Sequence, residues 1–203
     1  MFDHSNRIIL TGRISDPPVY DHEVLGEAFF KMYVAAKRLS GTEDVLPVTV
    51  SERLLGENEY DEGAPVSVSG QIRSYNQRAE DGSHLILTVF ARCLLTPEDG
   101  EDVNEAELIG RIVKPVVYRM TPFSREIADM LVAVRRRYGK SDYLPAIAWG
   151  RNARFAGTLT PGELVALKGR MQSRQYQKTL PDGSTVERTA YEISCASIER
   201  PGY

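Results

Sequence analysis

Two aromatic side chains, Tyr143 and Trp149, have the spacing expected of rings that stack on unpaired nucleic-acid bases. Alternate residues of a strand face opposite sides, so within residues 141–151 these two rings share one face. The opposite face carries Leu144, Ala146 and Ala148. These small aliphatic residues suit a protein interior, which leaves the rings on the outer face beside the arginines at 135–137. The strand is therefore predicted to be a base-stacking platform.

Basic residues around this strand are candidates for phosphate contacts. The candidates are Arg135, Arg136, Arg137, Lys140, Arg151, Lys168, Arg170 and Arg174. Any one such residue more commonly belongs to a solvated charged face, but Arg170 and Arg174 flank the ring of Tyr176. Cations interleaved with aromatic rings are typical of a nucleic-acid groove. Because alternate residues face opposite sides, at least one arginine at 135–137 is expected to point away from any single groove.

Other reactive residues form no recognisable site. The three histidines lie in the first half of the chain and match neither a catalytic triad nor an HExxH pattern. Cys93 and Cys195 belong to no CxxC pattern, so buried reduced thiols are expected, although a bridge between them is possible in principle. There is no Walker A or GxGxxG motif. We therefore expect no catalytic residues, no metal, no cofactor and no enzymatic activity.

The net charge of −3 conceals two oppositely charged halves. Residues 1–100 hold 9 Lys and Arg against 16 Asp and Glu, a net charge of −7. Residues 101–203 hold 16 against 12, a net charge of +4. A basic surface for nucleic acid is therefore expected on the second half.

Hydropathy argues against a membrane protein. No apolar run approaches the roughly 20 residues that span a bilayer, and the N-terminus has no basic region followed by an apolar one. The overall composition, 42% hydrophobic and 26% charged, is ordinary for a globular protein. A cytoplasmic location without membrane association is expected.

The chain contains two copies of one module. Residues 10–17 align with residues 108–115, which places Gly12 on Gly110 at an offset of 98. The same offset aligns identical residues at Asn6 and Asn104, Tyr20 and Tyr118, Arg38 and Arg136, Asp44 and Asp142, and Pro47 and Pro145. Chance does not hold one register over so long a stretch. The predicted division is a first domain at residues 1–96, a polar acidic linker at 97–103 and a second domain at 104–200.

Each copy has the pattern of a small barrel. About five segments alternate, the first of them at 7–14 and bounded by a proline, and one short helical segment precedes the fourth, at 52–55 and again at 152–156. Asp-Gly dipeptides at 81–82 and 182–183 predict a hairpin in each copy. The OB-fold is the commonest five-stranded Greek-key barrel, whereas an immunoglobulin-like sandwich would need more strands. The predicted fold class is all-β, with two tandem five-stranded OB-fold barrels, each with one short helix.

The second copy resembles the bacterial single-stranded DNA-binding proteins over its whole length. Its matching motifs recur in order at Asn104, 108–111 (LIGR), 142–153 (DYLPAIAWGRNA), 164–176 (LVALKGRMQSRQY) and 191–193 (YEI). The first copy resembles the same family more loosely, through Asn6, 10–13 (LTGR), 66–70 (VSVSG) and 87–89 (LTV). The resemblance implies a tandem pair of OB domains.

The resemblance also implies which residues bind. The base-stacking aromatics of the family map onto Tyr143, Trp149 and Tyr176, with Tyr138 close to a fourth. For Tyr138 and Tyr176, a role in packing stays equally open. The implied function is sequence-independent binding of single-stranded DNA in replication, recombination or repair, mainly through the second domain. The alternative is a primosomal or regulatory OB-fold interaction module whose main contacts are with proteins.

The first copy lacks the same binding face. The positions that align with Tyr143, Ile147 and Trp149 hold Val45, Thr49 and Ser51, and the position near Tyr176 holds Asn76 or Gln77. The weaker candidates that remain there are Lys37, Arg38, Arg73 and Tyr75. We therefore expect the first domain to be mainly a structural or interaction domain that binds DNA weakly, if at all.

The resemblance also implies how the chain would assemble and which partners it would have. Four OB domains usually assemble in this family, and a two-domain chain would reach that number as a homodimer. Family members typically continue into a disordered tail with an acidic, partner-recruiting tip, whereas this sequence ends with residues 198–203 (IERPGY). Recruitment by such a tail is not expected, and a mobile-element or primosome-associated role, with replication or primosome proteins as partners, stays open.

Overall fold

The computed structural model describes residues 5–79, 82–97, 100–180 and 183–202. Within these ranges the first half contains β1 (Asn6–Val24), β2 (Glu27–Lys37), β3 (Glu43–Ser51), α1 (Glu52–Leu55), β4 (Pro65–Ala79) and β5 (Gly82–Leu95). The second half contains β6 (Val103–Ile112), β7 (Val117–Met120), β8 (Glu126–Arg135), a 3-10 turn (Arg137–Gly139), β9 (Ser141–Trp149), α2 (Gly150–Ala156), β10 (Leu164–Thr179) and β11 (Thr185–Glu199).

Both halves close into a barrel by the same pairing scheme. In the first barrel, β1 pairs with β2 and β4, β4 pairs with β5, and β3 joins β2 to β5. In the second barrel, β6, β8, β9, β10 and β11 take the places of β1, β2, β3, β4 and β5, in that order. The pairing of β3 with β5, and of β9 with β11, is parallel, while the other pairs are antiparallel. The fold class predicted from the sequence is confirmed.

Alternation along the strands fills each barrel with aliphatic side chains. The buried set includes Ile8, Leu10, Met32, Leu46 and Ile72 in the first barrel and Leu108, Val132, Leu144, Leu167 and Met171 in the second. Two repeated glycines let strands approach closely at equivalent places. A Cβ at Gly70 would overlap the carbonyl oxygen of Phe90, and a Cβ at Gly169 would overlap that of Ser194. Glycine is therefore required at both positions.

Some element boundaries differ from the sequence prediction. The first strand does not end at a proline, because β1 continues through Pro17 and Pro18 to Val24. Its register with β2 shifts three times between Ile14 and His22, and a bulge tolerates the missing backbone N–H of proline. The first helix matches residues 52–55, but α2 begins at Gly150, two residues before the predicted start.

Two turn predictions and part of the linker concern residues outside the described ranges. Asp81 and Asp182 are among those residues, although β4 and β5 pair as a hairpin, as do β10 and β11. Glu98 and Asp99 of the predicted linker also lie outside them. In the described part of that segment, the Asp102 carboxylate accepts a hydrogen bond of 2.7 Å from the Lys37 backbone N–H.

The two barrels are joined by antiparallel pairing of β1 with β6. Asn6 lies opposite Leu108, and Leu10 lies opposite Asn104. Because Asn6 is equivalent to Asn104 and Leu10 to Leu108, this register relates the barrels by an approximate twofold axis. The axis passes between Ile8 and its equivalent, Ala106. One continuous sheet therefore runs from one barrel into the other.

Candidate nucleic-acid interface

The outer face of β9 carries the two rings identified from the sequence. Tyr143 is 46% exposed and Trp149 is 41% exposed, while Leu144 and Ala148 on the opposite face are fully buried. At a rise of about 3.3 Å per residue, the six-residue separation places the two rings roughly 20 Å apart along the strand. Because the inner face of β9 packs in the core, the strand is held in place with both rings directed to solvent.

Tyr176 and Arg174 form a second group of candidate side chains, on β10. The guanidinium carbon of Arg174 lies 5.8 Å from the centre of the Tyr176 ring, a cation–π distance. Arg174 also approaches the carboxylate of Glu192 at 3.8 Å. Tyr176 is exposed, so packing in the core does not account for it. Arg151 is exposed in the first turn of α2, two residues after Trp149.

Two predicted phosphate ligands are instead held by buried aspartates at the junction of the barrels. Arg136 Nε donates to Asp142 Oδ2 at 2.8 Å, and Arg38 Nε donates to the equivalent Asp44 Oδ2 at 2.7 Å. Both aspartates are completely buried. Hydrogen bonding to Asp44 raises the pKa of Arg38. Arg38 and Arg136 are therefore reassigned from phosphate binding to neutralising a buried carboxylate.

These aspartates also bind the backbone of the opposite barrel. The Ser173 N–H donates to Asp44 Oδ1 at 2.9 Å, and the Ser74 N–H donates to Asp142 Oδ1 at 2.6 Å. Ser74 is equivalent to Ser173, so the two contacts follow the twofold relation of the barrels. Each aspartate thus joins its own barrel to a strand of the other one.

Arg73 and Arg170 add a second guanidinium to each cluster. Arg73 Nη1 donates to Asp142 Oδ2 at 3.4 Å, and Arg170 Nε lies 4.0 Å from Asp44 Oδ2. Burial lowers the pKa of Arg73, and it lowers that of Arg170, where repulsion by Arg38 acts in the same direction. Neither residue is a surface cation of the kind predicted, because each lies partly buried beside a carboxylate.

Lys168 and Lys37 do not join the aromatic rings. Lys168 lies in the part of β10 that pairs with β6 and forms an ion pair of 2.9 Å with Glu107. Eight residues, or roughly 26 Å of extended strand, separate it from Tyr176. Lys37 lies beside the linker residue Asp102. Both are therefore removed from the candidate binding surface.

The end of β8 and the turn that follows it face the first barrel. This segment carries Arg135, Arg137 and Tyr138. Together with Arg136 they line a groove of about 1020 Å³ whose other walls come mainly from β4 and β5, with a smaller part from β1. The expectation that one arginine at 135–137 would point away from any single groove stays a prediction, although the guanidinium of Arg136 is turned to the buried Asp142. Strand alternation ends at Arg135, because a turn begins there and the Arg136 N–H donates to the Lys140 carbonyl at 2.7 Å.

The groove also contains residues that the sequence interpretation missed. Phe90 and Arg92 on β5 line it beside the predicted Arg73 and Tyr75. The guanidinium carbon of Arg73 lies 5.8 Å from the centre of the Phe90 ring. The available signal was the alternation of Thr88, Phe90 and Arg92, which places all three on the outer face of β5.

The described residues give little support for a metal site, a disulfide or a membrane-spanning helix. No group of three or more His, Cys, Asp or Glu side chains in this part of the chain is arranged to hold a metal ion. Both cysteines are free thiols, and burial raises the pKa of Cys195 to about 12. Among the described helices, none has the length and apolar character needed to cross a membrane.

Comparisons with known proteins agree with this architecture. Residues 103–201 match the model of the single-strand binding protein family. The chain is 32% identical over 82 residues to a single-stranded DNA-binding protein of Clostridium tetani, and 33% identical over 81 residues to one of Clostridium acetobutylicum. These alignments cover 37% and 36% of this chain, and 57% and 56% of the two relatives. The chain thus spans a little over half the length of the curated relatives it matches.

A solved structure shows the same fold over nearly the whole chain. A deletion mutant of the single-stranded DNA binding protein from Thermus aquaticus superposes with a TM-score of 0.76 at 19% identity. The superposition covers 98% of this chain and 95% of that protein. The match to the single-strand binding protein family covers the second barrel, residues 103–201, and the second barrel is what this chain shares with that family.

Proposed function

We propose that the chain binds single-stranded DNA without strong sequence preference, chiefly through its second barrel. The observation that carries this proposal is the outer face of β9, where Trp149 and Tyr143 remain exposed although the opposite face is fully packed. Aromatic rings stack on any base, and nearby cations neutralise phosphates irrespective of sequence. The family consists of non-enzymatic DNA-binding proteins, in agreement with the expectation that the chain is not an enzyme.

The proposed binding residues form a shorter set than the sequence suggested. Stacking is assigned to Trp149, Tyr143 and Tyr176, and phosphate contacts are assigned to Arg151 and Arg174. Tyr176 and Arg174 support each other through the cation–π contact, and Arg151 lies two residues after Trp149, in the first turn of α2. The domain division at residues 1–96, 97–103 and 104–200 is part of the same proposal.

Cellular role and assembly are proposed from the family. We place the chain in replication, recombination or repair in the cytoplasm, as a homodimer that brings four OB barrels together. Nothing in the described contacts favours the protein-interaction module as the main function. A mass measurement in solution by light scattering tests the dimer, since a mass near the 22.7 kDa of one chain would contradict it.

Tryptophan fluorescence tests DNA binding directly. Trp149 is the only indole, so oligo(dT) is expected to quench the emission, and less so at high salt. Unchanged emission at micromolar protein and low salt would contradict the proposal. Trp149→Ala is expected to weaken binding of labelled oligo(dT), followed by anisotropy, by about 1–3 kcal/mol for the lost stack. Ser51→Ala, at the equivalent position of the first barrel, is the matched control, and an equal loss in both variants would contradict the assignment to the second barrel.

A further inference from the structure

Ser74, on β4 of the first barrel, is bound by the second barrel through its N–H, its carbonyl and its hydroxyl. The N–H donates to Asp142 Oδ1 at 2.6 Å, and the carbonyl accepts from Arg136 Nη2 at 2.9 Å. The hydroxyl oxygen accepts the Tyr143 backbone N–H at 2.8 Å. Ser74 is buried, so water does not readily replace these partners. One residue of the first barrel is therefore enclosed by the segment that begins β9.

The hydrogen bond to Tyr143 supports β9 at some distance from its pairing with β11. β11 pairs with β9 at Ala146 and Ile147, while β8 pairs along the other edge of β9. Near the start of β9, the hydroxyl of Ser74 supplies a further partner for the backbone. Trp149 lies at the other end of the strand, six residues or roughly 20 Å away. Of the two exposed rings on β9, Tyr143 is thus the one next to the contact with the first barrel.

The equivalent serine on the other side of the twofold axis uses its hydroxyl differently. The Ser173 N–H donates to Asp44 Oδ1 at 2.9 Å, and the Ser173 hydroxyl donates to the same oxygen at 3.4 Å. The residue that aligns with Tyr143 there is Val45, which carries no ring. The hydroxyl of Ser74 therefore binds the backbone of the strand that carries an exposed aromatic ring, whereas its equivalent is turned to a carboxylate.

We propose that Ser74 is a positioning residue for DNA binding, because its hydroxyl holds the start of β9 so that the Tyr143 ring is directed to a base. The inference rests on the proposed function and deepens it. Tyr143 is exposed, so the direction of its ring follows from the backbone of β9 more than from packing around the ring. A binding group must be held within about 0.5 Å of its productive position.

This role gives the first barrel a part in the affinity of the second. A backbone that is fixed before DNA arrives loses less conformational freedom on binding, so the complex is more stable. The hydroxyl of Ser74 acts through the Tyr143 backbone and requires no contact of its own with DNA. The effect of Ser74 on affinity should therefore disappear when the Tyr143 ring is removed.

A double-mutant cycle tests this coupling. Affinity for labelled oligo(dT) is measured by anisotropy on the unmodified full chain, on Ser74→Ala, on Tyr143→Ala and on the double variant. Ser74→Ala is expected to weaken binding about two- to tenfold, the scale of one neutral hydrogen bond. In the Tyr143→Ala background the same change is expected to have almost no effect, because the positioned ring is absent. In the Trp149→Ala background it should cause its full loss, since the distance to Trp149 exceeds the range over which neighbouring sites couple.

Hydrogen exchange at the Tyr143 amide measures the contact itself. Exchange followed by NMR should become faster in Ser74→Ala, because the N–H loses its acceptor. The other amides of the same spectrum show whether the variant remains folded. Ser173→Ala, at the equivalent position, is the matched control and should leave exchange at Tyr143 unchanged.

The outcomes separate the two proposals. If Ser74→Ala weakens binding equally with and without the Tyr143 ring, Ser74 acts elsewhere, and the positioning role is overturned while the proposed function stands. Unchanged affinity in Ser74→Ala, or unchanged exchange at the Tyr143 amide, overturns the positioning role in the same way. If the unmodified chain does not bind oligo(dT), the proposed function fails and the positioning role fails with it.

Discussion

Replacing the buried Asp142 by asparagine is expected to destabilise the protein strongly, because two guanidiniums depend on its charge. Asp142 accepts from Arg136 and Arg73 and from the Ser74 N–H, and it is completely inaccessible to solvent. Removing one partner of a buried ion pair typically costs about 3–5 kcal/mol. The Arg73 and Arg136 side chains retain 21% and 27% exposure, so water can partly solvate them and the lower end, about 3 kcal/mol, is expected. That is a large share of the roughly 5–15 kcal/mol that stabilises a typical protein.

The matched control is Asp129→Asn on β8. Its carboxylate pairs with Arg119 Nε at 3.0 Å, but both side chains are about half exposed, so about 0–1 kcal/mol is expected. Urea unfolding followed by Trp149 fluorescence and by circular dichroism measures both variants. Trp149 reports on the strand that carries Asp142, and circular dichroism reports on both barrels. If the two variants lose the same small free energy, the junction does not stabilise the fold as inferred. If the two signals separate in the unmodified chain, the barrels do not unfold as one unit.

Three further predictions concern packing and ionisation. Burial raises the pKa of Tyr191 to about 12, so the folded state retains a proton that the unfolded state releases above the ordinary value of 10.0. The free energy of unfolding should therefore fall between pH 10 and 12, by up to about 1.4 kcal/mol per pH unit; Tyr191→Phe should reduce that slope in urea titrations, and an unchanged slope would contradict the assignment. Cys195 should react with iodoacetamide near pH 8 much more slowly than the partly exposed Cys93, because its thiolate is scarce and buried; equal rates by mass spectrometry would argue against this. Gly70→Ala should cost about 1–3 kcal/mol from overlap with a backbone carbonyl, against at most about 0.5 kcal/mol for Gly100→Ala, whose Cβ meets no atom within 4 Å.

The barrels and the stacking strand could be predicted because both depend on local pattern. Period-two alternation identified which side of β9 is buried, and the exposure of Tyr143 and Trp149 follows from it. Identical residues at a constant offset identified the duplication, so the strand pattern of one copy could be used to predict that of the other. These features involve neighbours along a strand, where the side-chain direction is set by the backbone.

The roles of the arginines could not be predicted in the same way. Arg136 contacts Ser74, 62 positions away, and Asp44 contacts Ser173, 129 positions away. Such contacts depend on how the barrels dock, which alternation within one strand does not encode. A signal existed all the same, since Arg38 and Asp44 recur as Arg136 and Asp142 in copies of opposite net charge. Oppositely charged residues kept in both copies are better explained by a structural pair than by a DNA surface present in only one of them.

The twofold relation of the barrels also changes how the charge difference between the two halves is interpreted. If each barrel were an independent unit, an acidic first half would repel DNA and only the basic second half would bind it. The junction instead places the loop that contains Tyr138 and Lys140 beside Tyr75, so cations encoded in the second half act on the surface of the first. Net charge over a segment of sequence is therefore a poor guide to the potential at a surface that two segments share. The groove on the first barrel is therefore lined by a ring and by cations that the second half of the sequence encodes.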